Sequence, residues 1–178
     1  MPTIDPRSFG SGESDVVSTN CTAFKVSDLE QSHFNEKARF FYNMWRRQTK
    51  NGDCDFEDFV PFSPELIVLG KPNASAPMAN LVFSGENTIG ARMFGQNLEK
   101  KSAEVYAGLD KYVLKNYSET VSIAQNDSFE TCEPIFDYIS SEFGAQTLAY
   151  ERLLLPFKTK AGPVFLVAYS MPVSVPSF

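Results

Sequence analysis

The chain has one histidine, one tryptophan, three cysteines and no long apolar run, and each scarcity removes a class of protein. A single imidazole excludes a histidine-pair metal site and leaves His33 as the only base for a serine–histidine–aspartate arrangement. Set between Ser32 and Phe34, it reads as a solvated helix residue. Cys21, Cys54 and Cys132 are odd in number and show no paired spacing. No basic segment followed by an apolar run opens the chain. A reducing cytoplasm fits these features, with each thiol a small buried or half-buried hydrophobe. Apolar stretches such as 164–169 fall far short of a membrane span.

Positive charge is also scarce. Lysine and arginine total 16 against 22 aspartates and glutamates, a net charge of −6, and the only tight basic clusters are Arg46-Arg47 and Lys100-Lys101. Phosphate-backbone binding needs concentrated cations, so nucleic acid is excluded as a partner. Glycines 85, 90 and 95 precede no Gly-Lys-Ser/Thr and form no phosphate loop. The acidic pairs Asp53/Asp55 and Glu57/Asp58 follow no calcium-loop pattern and read as a solvated, turn-forming run.

What remains is enough for one folded domain. Of 178 residues 43% are hydrophobic, and 16 Phe and 7 Tyr supply much of the core area. Residues 1–27 are rich in Ser, Thr, Gly, Pro and Asp and are expected to form a flexible arm. Residues 28–50 carry an amphipathic helix, capped at Ser27 or Asp28, with Leu29, Phe34, Ala38, Phe41 and Trp45 on one stripe and Met44 on its flank. Residues 51–178 form the domain proper. ELIVLG and NLVFSGEN read as strands, TIGARMFG as one or two helical turns, and Ser102–Asn126 as a long helix. Its inward stripe includes Val105, Leu109, Tyr112, Asn116, Tyr117, Thr120 and Val121. FETCEPIFDYISS, TLAYERLLLPFKTK and GPVFLVAYSMPVS read as three terminal strands. The alternation of Leu148, Tyr150 and Arg152 with Ala149, Glu151 and Leu153 suggests one solvated sheet face. The expected fold is α+β: a five-stranded antiparallel sheet with helices on one face, plus the N-terminal helix.

This element order resembles the PAS fold, and three stretches are similar to the bacterial PAS-like sensor family of short stand-alone α-proteobacterial proteins. Leu81-Val82-Phe83-Ser84-Gly85 is similar to the family's second strand, IGARMFGQNLEKK (89–101) to its helical connection, and YERLLLP (150–156), followed by a Lys/Gly turn and an apolar strand, to its fourth and fifth strands. The resemblance implies a non-catalytic sensory or regulatory module of signal transduction. A cavity between helices and sheet holds a small molecule, or packs shut, and a protein partner receives the signal. Fold alone does not choose between these.

A ligand is expected between the long helix and the sheet, at Tyr112, Asn116, Tyr117, Thr120, Phe83 and Leu154, with Met93 and Phe94 closing one end. The missing axial His or Cys argues against haem, and TIGARMFGQNL lacks the Cys that covalent flavin photochemistry requires; non-covalent flavin stays open. The aromatic helix suggests a homodimer through Phe34, Phe40, Phe41, Tyr42 and Trp45. The alternatives are a small α+β cavity enzyme or carrier, and a ligand-free protein-interaction domain.

Overall fold

From Arg152 to Phe157 every residue is buried, a run that no half-solvated strand can hold, so both faces of the sheet around it must be covered. The computed structural model describes residues 18–30, 35–50, 56–72, 78–94, 111–143, 146–158 and 164–173. Among them one antiparallel sheet holds six strands: β1 (Thr19–Phe24), β2 (Leu66–Gly70), β3 (Asn80–Ser84), β4 (Ile135–Phe143), β5 (Gln146–Lys158) and β6 (Val164–Pro172). Their order is β1-β4-β5-β6-β2-β3. The early strand pair β2/β3 lies beside the last strand, β6, in the same sheet. β1 is an addition at the opposite edge.

One face is covered by α1 (Glu36–Lys50) and two 3-10 helices, Val26–Glu30 and Glu57–Glu65. Ala38, Phe41 and Trp45 recur at helical spacing and pack with Phe59 against Leu153, Leu155, Phe157 and Val167. Full burial of each such large side chain contributes roughly 1.5–3 kcal/mol. The pairing of β4 with β5 ends at Leu154. Beyond it the carbonyl of Pro156 accepts the Trp45 indole N–H at 2.7 Å. The other face is covered by α3 (Lys111–Thr131), with α2 (Ile89–Phe94) nearby. Phe129 packs there on Leu69, Leu154, Leu166 and Ala168, and Val121 on Ile139 and Tyr150.

Several expectations are corrected. Helices lie on both faces of the sheet, and β5 is buried on both sides from Arg152 to Phe157, where its alternating residues are apolar or, at Arg152, paired. Part of the expected arm, residues 19–24, is β1; residues 1–17 lie outside the described residues. The first helix does not start at Ser27 or Asp28. A 3-10 turn stands there, and α1 begins after Asn35, whose side-chain oxygen accepts the backbone N–H groups of Lys37 at 2.9 Å and Ala38 at 3.4 Å. The long helix runs on to Thr131, so the FETC segment is not strand, and Cys132 ends the helix with φ of 55°. Residues 102–110 of that helix lie outside the described residues.

Gly85 fixes the turn after β3. Its N–H donates to the Leu66 carbonyl at 2.9 Å and the Asn87 N–H to that of Pro64 at 2.7 Å. A Cβ on Gly85 would sit 2.2 Å from the Ser63 carbonyl oxygen. Backbone meets backbone here, and only glycine fits.

Candidate functional site

The α3 face of the sheet carries buried charge where its pattern calls for hydrophobes. On β4, Ile135, Asp137 and Ile139 point to one side, and register sets Asp137 directly opposite Arg152 of β5. Arg152 Nε donates to Asp137 Oδ1 at 3.0 Å and Nη2 to Oδ2 at 2.6 Å. This two-pronged contact suits a planar guanidinium. Its Nη1 donates to the Val121 carbonyl of α3 at 3.3 Å. Asp137 is 0% and Arg152 3% exposed. The pair therefore joins both strands to the helix lying over them.

Two residues before Arg152 on the same face, Tyr150 shares a 2.7 Å hydroxyl–hydroxyl hydrogen bond with Tyr117 of α3. From β1, the Cys21 thiol donates to Asp137 Oδ2 at 3.5 Å, and Ser141 Oγ donates to Thr19 Oγ1 at 3.1 Å. Three segments remote in sequence thus converge on one carboxylate and one guanidinium.

Burial and neighbouring charge raise the pKa values of Tyr117, Tyr150, Arg152 and Cys21. Burial pushes the Tyr150 phenol well above its ordinary value, and proximity to Tyr117 adds to this. Burial also raises Tyr117, partly offset by its bond to Tyr150 and by Arg152. Burial works against the Arg152 charge, but the bound Asp137 carboxylate outweighs it and the guanidinium's pKa rises. Cys21 is an exposed residue whose sulfur turns in toward Asp137; desolvation and that carboxylate push the thiol up to about 11. A thiol so disposed is a poor nucleophile at neutral pH.

Of the residues expected to line a ligand space, Tyr117 and Leu154 stand on this face, and Thr120 is half-buried on α3. Asn116 is exposed, not inward as its place in the helical stripe suggested. Phe83 pairs with Val68 and Val68 with Val167, which puts Phe83 on the α1 face, away from Leu154. The side chains of Met93, Phe94 and Tyr112 lie outside the described residues. Composition and spacing alone do not mark Asp137, Tyr150 and Cys21 as site residues. The available signal was Asp137 itself, a charge between Ile135 and Ile139 in a strand pattern.

Two of the residues expected to make a dimer are committed to the chain's own core. Phe41 and Trp45 are buried in the chain's own core, and Tyr42 is half-buried and stacked on Trp45 at 6.2 Å. Phe40 is 47% exposed and touches Phe62 at 5.3 Å. Phe34 and His33 lie outside the described residues. The Phe41/Trp45 stripe of α1 is therefore spent on its own sheet, while Phe40 stays exposed.

Among the described residues no group of three His, Cys, Asp or Glu side chains could hold a metal ion, and no helix is long and apolar enough to cross a membrane. The chain has no significant match to a protein-family model, a curated protein or a solved structure.

Proposed function

We propose that this chain is a PAS-type sensory or regulatory module of the cytoplasm that works by binding and does no chemistry of its own. The reading is carried by the position of the buried Arg152–Asp137 pair, which links β4, β5 and α3 at the interface where the PAS resemblance expects ligand sensing. A displacement of α3 breaks the Arg152 bond to the Val121 carbonyl, so binding beneath the helix is coupled to its position. Two further features support it. The pair β2/β3 beside β6 and the helical connection between β3 and β4 follow the element order that the resemblance implies. The Tyr117 and Tyr150 phenols are also bonded to each other and held neutral by burial, and the Cys21 thiol is held protonated at neutral pH.

A second reading is favoured by that same mutual satisfaction: an interaction domain whose interior is closed by its own side chains. Native mass spectrometry of the purified chain separates the two. A discrete added mass that is lost in Tyr117→Phe supports small-molecule sensing. A bare 19.9 kDa chain that shows no thermal shift with a metabolite or flavin panel leaves only the interaction domain.

A further inference from the structure

β1 covers a part of the site that the sheet does not need for its own continuity. β4 is paired with β5 along its whole length, from Ile135–Leu154 to Phe143–Gln146, so β2 through β6 form an unbroken sheet without β1. Four of the six β1 residues are exposed. Mostly exposed edge strands of this kind open with a small fraction of the global unfolding free energy.

The β4 edge nonetheless has to be covered. Asp137 is wholly buried only one strand in from that edge, and Cys21 supplies one of its hydrogen bonds. Left open, the edge would present unpaired backbone groups and a partly uncovered charge. An occupant must therefore bring a donor at the position of Cys21, a hydroxyl opposite Ser141, and an aromatic ring where Phe24 lies 5.5 Å from Phe136. Residues 19–24 carry that pattern, and every copy of the chain offers it.

We propose that the β4 edge is an exchangeable strand-docking site, filled by residues 19–24 of its own chain or of a second copy, and that mutual exchange forms a two-fold dimer. All β1 contacts are preserved in trans and the symmetry closes. This goes beyond the sensory reading and does not depend on a ligand.

Thr22 and Tyr138 are directly paired, so cysteines at both positions report which chain supplies the strand. In a Cys21→Ser background carrying T22C and Y138C, isotope-labelled and unlabelled chains are mixed at high concentration, incubated and oxidised. Linked 22–138 peptides with one heavy and one light half are the expected result. Linked peptides that are only all-heavy or all-light overturn the proposal. If no link forms, a fluorescent synthetic peptide of residues 18–25 decides. It should bind the Phe24→Ala chain saturably, and about tenfold more tightly than the wild-type chain, whose own strand competes better. Binding to neither chain overturns the proposal.

Discussion

Asp137 and Arg152 face each other across β4 and β5 with two hydrogen bonds, at 3.0 and 2.6 Å, and both are closed off from solvent. Buried ion pairs of this kind contribute little net stability, since the attraction roughly offsets the desolvation of two charges. What the pair does contribute is position. A guanidinium with three placed donors holds β4, β5 and the Val121 carbonyl of α3 in one arrangement.

Removing one partner should therefore cost far more than removing both. Arg152→Met leaves a buried unpaired carboxylate and should lose about 3–5 kcal/mol, whereas Asp137→Leu with Arg152→Met should recover most of it. For a chain of this size the single change lowers Tm by about 6–20 °C. Urea and thermal melts of the two variants check this. A double variant no more stable than the single one would show that the pair is not the coupled unit described here.

Alkaline pH should unfold the protein through the α3 face. The phenols of Tyr117 and Tyr150 and the thiol of Cys21 all have folded pKa values raised by burial. The unfolded chain then releases these protons at lower pH than the folded one. Stability is thus unaffected by these groups below about pH 8.5 and falls as pH climbs through the ordinary thiol range and then the phenol range near 10. Phenolate absorbance should show a late component that coincides with unfolding and is missing from Tyr117→Phe/Tyr150→Phe. A double variant whose absorbance titration matches that of wild type would contradict the assignment.

Parts of this fold were legible because one residue's neighbours in sequence decide its place. Ala38, Phe41 and Trp45 show a helix stripe, and the apolar runs of β5 and β6 show strands. β1 was not legible. Its side chains are mostly exposed, so TNCTAF has no hydrophobic alternation, and its strand state is set by the β4 edge. The site was half legible for a similar reason. Asp137 and Arg152 each look like one charge on a strand, and only the β4–β5 register makes them a buried pair. Asn116 misled because its helical spacing fits the inward stripe, yet that part of α3 turns it to solvent.

Gly85→Ala should destabilise the protein by about 1–3 kcal/mol, the usual cost of overpacking, or more. The new Cβ would fall 2.2 Å from the Ser63 oxygen and 2.4 Å from the Pro64 carbonyl atoms, and backbone cannot rotate aside as a side chain does. Equilibrium unfolding in urea measures the loss. Wild-type stability in this variant would mean that the Ser63–Pro64 backbone yields freely.

Cys132 should be improvable. It follows the last residue of α3, its N–H donates to the Ser128 carbonyl at 3.1 Å, and its φ is 55°. This is the left-handed helix terminus that glycine usually occupies, because a Cβ there crowds the following carbonyl by about 1–2 kcal/mol. The geometry also explains why FETC resembles the start of a strand: the customary stop signal is absent, and a residue of modest β preference stands in its place. Cys132→Gly removes the crowding but also widens the conformational freedom of the unfolded chain, which offsets part of the gain. The net expectation is a stabilisation of up to about 1 kcal/mol. Cys132→Val moves the other way, since a branched Cβ is least tolerated at positive φ. The residue is exposed and its thiol has no hydrogen-bonded partner among the described residues, so neither change breaks a side-chain hydrogen bond there. Urea midpoints of wild type and the two variants test the ordering Gly, then Cys, then Val. A valine variant at least as stable as the glycine one would show that this terminus is not held in the left-handed conformation.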